Sequence, residues 1–159
     1  MKTPRQTPAL SLLAALFLIA SAAFASACSS DGSPGSTGLA GTWTTNVTSG
    51  GVTLAVSVDL QSGGGVIFSE TYGGSCSGSF TFTGSSWSAT STLITLSGTP
   101  TCAGSGSCSE FGQTTSLTCA NETAPFNGTV GYSPSSDGST LTLSGGEDGG
   151  TQTLVLTRS

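Results

Sequence analysis

Five cysteines, one carboxylate in a strand's apolar phase and no histidine set the chemistry open to this chain. The cysteines stand at 28, 76, 102, 108 and 119. Cys76, Cys102, Cys108 and Cys119 suffice for two disulfides, and four cysteines allow three pairings. The last three are separated by five and ten residues. That spacing is not the C-x-x-C of a zinc site, so disulfides are expected and no metal. Cys76–Cys102 with Cys108–Cys119 is the expected pairing, because Cys76 and Cys102 flank strands read as adjacent. Without histidine there is no Ser–His or Cys–His nucleophile system and no imidazole metal ligand. No lysine follows Lys2, so a Schiff-base amine is missing as well. No phosphate-cradling loop followed by lysine occurs; "GGEDGG" is acidic and repels phosphate. Glu70 is the one acid expected to face inward, and paired-carboxylate hydrolysis needs two. Glu147 and Asp148 fall in a turn open to solvent. The expectation is a protein that is not an enzyme and carries no cofactor, with a carboxylate-based hydrolase ranked last.

Those residues must be held by something, and the chain's first part is not it. Residues 1–27 open with Lys2 and Arg5, continue with an apolar run from Ala9 to about Phe24, and end on small residues. That is the pattern of a secretory signal peptide. The apolar run is short for a spanning helix, which needs roughly 20 residues. "ASAC" followed by "SSDGSPGSTG" resembles a bacterial lipoprotein signal. The resemblance implies a lipid on Cys28, a flexible linker over 28–40 and attachment to a membrane in the cell envelope, with Ser29 implying the outer membrane. It also leaves an even number of cysteines for pairing. Plain secretion is the alternative.

Beyond the leader, one cation, Arg158, faces eight acids, a net charge of −7. A field of that sign repels nucleic acid and anionic lipid, so neither is an expected partner. The length left is that of one domain. "NVT", "NET" and "NGT" are sequons at Asn46, Asn121 and Asn127, which matter only in a eukaryotic secretory pathway.

From residue 41 the apolar residues recur with period two, the mark of strands with one buried face. Val52, Leu54, Val56, Val58 and Leu60 share a face. So do Val66, Phe68, Glu70 and Tyr72, then Phe80 with Phe82, Phe126 with Val130 and Tyr132, Leu141 with Leu143, and Leu154 with Leu156 and Arg158. Eight strands are expected, at 41–48, 52–61, 65–72, 77–83, 86–97, 126–133, 139–144 and 151–158. The phase of 86–97 breaks near Leu93 and Ile94. Short Gly-rich links favour antiparallel neighbours. Eight such strands close into an all-β, up-and-down barrel over residues 41–158; a β-sandwich is the alternative.

Closure makes the first and last strands neighbours. Trp43, at the start of one, then meets Arg158, at the end of the other, and the guanidinium can cover the indole. Gly41-Thr42-Trp43 matches the G-x-W of lipocalins, and over residues 41–158 the chain resembles bacterial lipocalin-like (calycin-type) lipoproteins. The resemblance implies a structural role for Trp43 and Arg158 and an interior for a small hydrophobic ligand. The residues expected to line it are Phe68, Glu70, Tyr72, Phe80, Phe82, Val130 and Tyr132, with Gly78, Gly128 and Gly131 giving room. A second reading has these aromatics fill the core, with Phe111 and Leu117 in a long loop, 98–125, meeting a protein partner. The loop and the four cysteines are expected at the end away from Trp43.

Overall fold

The computed structural model describes residues 38–110, 112–120, 128–145 and 152–159. The described residues form β1 Gly41–Ser49, β2 Val52–Leu60, β3 Gly65–Gly74, β4 Cys76–Ala89, β5 Leu93–Glu110, β6 Gln113–Thr118, β7 Gly128–Pro134, β8 Thr140–Gly145 and β9 Gln152–Arg158. All pairings are antiparallel. The strand order is β4-β3-β2-β1-β9-β8-β7-β5-β6, and a β4–β5 pairing closes the sheet on itself. The fold is an eight-stranded antiparallel barrel with sequential strand order and one extra strand, not a two-sheet sandwich.

The period-two pattern is what closes it. On β2 and β3 the alternate residues Val52 to Leu60 and Val66 to Tyr72 turn inward. Two apolar clusters fill the interior. One contains Trp43, Leu60, Trp87, Ile94, Val130, Leu141 and Leu156. The other contains Val56, Phe68, Tyr72, Phe80, Phe82, Cys76 and Cys108. Val58 and Leu96 pack against both and join them along the axis. The outward residues are mostly serine and threonine, and their hydroxyls meet across strands at 3.1–3.4 Å, as in Ser69–Thr81, Ser86–Ser97, Thr95–Thr129 and Thr48–Thr53. Apolar inside and hydroxylated outside is the reverse of a membrane-spanning barrel, whose outer face is an apolar band.

Three expectations about strand boundaries are corrected. The strands expected at 77–83 and 86–97 are one strand and the start of the next: β4 runs on to Ala89, and the chain turns at Thr90–Thr92. The Thr90 hydroxyl accepts from the amides of Thr92 and Leu93 and so makes the turn. Gly84, which falls between those two expected strands, sits in a bulge where the β4–β5 register shifts between Thr83 and Ser85. The loop expected over 98–125 is largely strand, since β5 continues to Glu110 and β6 folds back on it.

That extra strand is not a ninth stave. Ser105 of β5 pairs with Thr118 of β6, and Leu93 of β5 pairs with Gly131 of β7. The two registers differ by one residue, so β6 and β7 lie end to end along one edge of β5 and share a stave. Closure between β1 and β9 is narrow, pairing Trp43 with Arg158 and Thr44 with Thr157.

The leader, Cys28 and most of the expected linker lie outside the described residues. Leu39, expected in that linker, is 2% exposed and belongs to the Trp43 cluster.

Candidate functional site

The barrel has two chemically different ends, and sequence alone assigns residues to each through strand direction. β1 begins and β9 finishes at one end. There the Arg158 guanidinium lies over the Trp43 ring, 4.4 Å from its centroid. It donates to the carbonyls of Gly138 (3.1 Å), Ala40 (3.2 Å) and Gly38. Trp43 is fully buried, and its Nε1 donates to the Leu39 carbonyl at 2.8 Å. Gly41 explains why a glycine stands two residues before this tryptophan. Its φ is +136°, and a Cβ there would come within 3.2 Å of Arg158 Nη1. The neighbouring β7–β8 turn is fixed by Asp137, whose carboxylate accepts from the Ser135 hydroxyl and from the Ser139 amide and hydroxyl. These hydrogen bonds, that from Ser135 foremost, hold the Asp137 carboxyl down at about 2.

At the other end β4 begins and β5 finishes; one disulfide forms there, and a second forms further back along β5. They join Cys76 to Cys108 and Cys102 to Cys119. The expected pairing is corrected, and register is the reason. Cys76 stands directly opposite Cys108, whereas Cys102 stands opposite Phe82. Phe82 is six residues along β4 from Cys76, about 20 Å in an extended strand. With every one of these sulfurs in a bridge, none serves as a thiolate ligand for zinc. Disulfides of this kind fit an oxidising compartment outside the cytoplasm.

The seven residues expected to line a ligand site fall into two groups. Phe68, Tyr72, Phe80 and Phe82 belong to the disulfide-end cluster. Phe68 and Phe82 stack tilted with centroids 5.9 Å apart; Tyr72 meets Phe80 edge-on at 6.0 Å. Phe80 is fully buried. Glu70, 3% exposed, is the one buried acid among the described residues, and the Tyr72 hydroxyl reaches its Oε2 at 3.4 Å. Val130 and Tyr132 belong with Trp43 instead. The Tyr132 hydroxyl donates to the Thr90 carbonyl at 2.7 Å, closing the β4–β5 turn. Gly78 does not open space either. A Cβ on it would stand 2.3 Å from the Gly106 Cα, so this glycine lets β4 and β5 pass close together. Leu117 is half-buried and packs against the disulfide-end cluster. Phe111, Asn121, Asn127, Glu147 and Asp148 lie outside the described residues; Asn46 is exposed on β1.

A cavity of about 30 Å³ lies within the Trp43 cluster, lined by Trp43, Val58, Leu60, Ile94, Leu96, Val130, Leu141, Leu143 and Leu156. Only Val130 of the seven expected residues borders it. Trp43, expected as a plug alone, forms part of its wall. The other walls are aliphatic residues, most of them on faces the period-two pattern had marked as inward. Attention to aromatics passed them over, although inward Leu and Val beside a large ring are the ordinary walls of an apolar cavity. Water needs two to four polar partners to stay in such a space. The lining presents only apolar surface, so the cavity suits an apolar occupant. The chain matches no protein-family model, no curated protein and no solved structure.

Proposed function

We propose that this protein is a lipocalin-like binding module of the cell envelope, not an enzyme, tethered to the outer membrane by a lipid on Cys28, that holds a small, uncharged apolar molecule inside its barrel. The observation that carries the reading is the all-apolar cavity beside Trp43. Its volume, about 30 Å³, is a few times the 10–15 Å³ that one water needs. That favours a slender occupant, a few heavy atoms or the end of a chain, over a bulky ring system. The export signal, the lipoprotein-like "ASAC" and the disulfides support the location. The absence of histidine from the whole sequence supports a role without catalysis.

A second reading keeps the same fold and location but fills the barrel, so that its work lies with a protein partner. The tight burial of Phe80 and Phe82 favours it. Fluorescence separates the two. With Trp87→Phe as background, Trp43 is the remaining indole and reports on the cavity it borders. Titration with xenon, then with straight-chain alkanes and fatty acids, should change Trp43 emission saturably. Val130→Phe, which fills the cavity, should abolish the change. A folded protein whose emission none of these probes alters would favour the filled barrel.

A further inference from the structure

The two disulfides stand in unlike surroundings. Cys76 and Cys108 are 3% and 6% exposed. They face each other across β4 and β5, which pair from end to end, and they sit within the apolar cluster. Cys102 and Cys119 are both half-buried and lie at that cluster's margin. Cys119 directly follows β6. Among the described residues β6 pairs with β5 alone, and its side chains are exposed except for Leu117. The attacking thiolate in disulfide exchange must reach a sulfur in line, so access governs which bridge reacts first.

We propose that Cys102–Cys119 is a thiol-exchange site: a dithiol reductant opens it while Cys76–Cys108 stays closed, and opening frees β6 from the barrel. One thiolate of the reductant attacks a sulfur of the bridge. A mixed disulfide forms, and the other cysteine leaves as a thiolate and takes up a proton. The reductant's second thiol then displaces the remaining cysteine. Two electrons pass to the protein, which gains two thiols, and the reductant becomes a disulfide. With the bridge gone, β6 is held by its ladder to β5. Leu117 can then withdraw and uncover the cluster of Phe80 and Phe82. The core bridge keeps β4 and β5 joined, so the barrel survives. This inference stands independently of whether the cavity takes a ligand.

The test is graded dithiothreitol on the folded, exported protein, followed by alkylation and peptide mass spectrometry. Cys102 and Cys119 should be alkylated at a dithiol concentration at least about tenfold below that needed for Cys76 and Cys108. In the same samples the amides of Gln113–Thr118 should exchange with deuterium at least about tenfold faster, with β1–β3 unchanged. Reduction of both bridges together, or of Cys76–Cys108 first, would overturn the proposal. So would β6 amides that stay protected after Cys102–Cys119 is open. The double variant Cys102→Ser/Cys119→Ser gives a check without reductant: its β6 should exchange as in the reduced protein, and native-like protection there would sink the latch.

Discussion

Arg158 is an ordinary surface cation by exposure and an anchor by geometry. Its guanidinium covers a fully buried indole and ties together the backbone at Gly38, Ala40 and Gly138. Methionine in its place keeps the stem and loses the charge and the donors. Arg158→Met should therefore cost about 1–2 kcal/mol, read as a lower melting temperature, without altering the apolar cavity. Ser85 is the opposite case, a buried hydroxyl with no hydrogen-bond partner among the described residues. Removing an orphan polar group relieves its desolvation penalty, so Ser85→Ala should stabilise the barrel by about 1 kcal/mol in chemical denaturation. Asp137 sets a pH response. Its carboxyl sits near 2 in the fold against 3.8 in a free chain. The ionised form therefore steadies the β7–β8 turn above about pH 4, and that contribution fades as the pH drops toward 2. Asp137→Asn should flatten the melting temperature's pH dependence in that acid window and leave it unchanged near neutrality. The Trp43–Arg158 contact was legible in the sequence because it needs only a phase and a strand direction. The cavity walls were on the page too, as inward Leu and Val, but nothing in an alternating pattern says which inward side chains leave a gap.

At the level of strands, legibility followed the chemistry of the inward face. β2, β3, β8 and β9 alternate aliphatic with hydroxyl residues and read plainly. The far half of β5 points Cys102, Gly104, Gly106 and Cys108 inward, opposite Phe82, Phe80, Gly78 and Cys76. A strand whose core positions are glycine and cysteine has no hydrophobic period, and so it reads as a loop. The hairpin turn at Thr90 was hidden for a similar reason. It uses a threonine hydroxyl where glycine, proline or asparagine would have announced it. Those inward glycines are there because β4 and β5 run very close. A Cβ on Gly104, where φ is +142°, would lie 2.1 Å from the Ser79 carbonyl oxygen. Gly104→Ala should therefore separate the two strands and cost more than about 2 kcal/mol, seen as a lower denaturation midpoint and faster amide exchange in β4. Pro100 fits the same account. It occupies the irregular stretch of β5 where Ser85 pairs with Gly98 and Thr83 with Thr101, so the ladder passes over it and its missing N–H goes unneeded.

For the whole molecule, closure rests on unequal joints. The β1–β9 joint pairs two residues from each strand, while β4 and β5 are laced along their length and also bridged covalently. The core bridge closes a segment of 32 residues. The double variant Cys76→Ser/Cys108→Ser should lose about 3 kcal/mol, measured by denaturant unfolding with Cys102–Cys119 intact. The same architecture fixes which way the molecule faces. Gly38 and Ser159 both lie at the Trp43 end: Gly38 accepts from Arg158, and the Ser159 amide donates to the Thr42 carbonyl. Any tether running back through residues 29–37 leaves the barrel there, and nine residues reach at most about 30 Å. A barrel held by that leash would stand with its plugged base toward the bilayer, and the end closed by Cys76–Cys108 would point outward, the first part of the molecule met by anything approaching from solution.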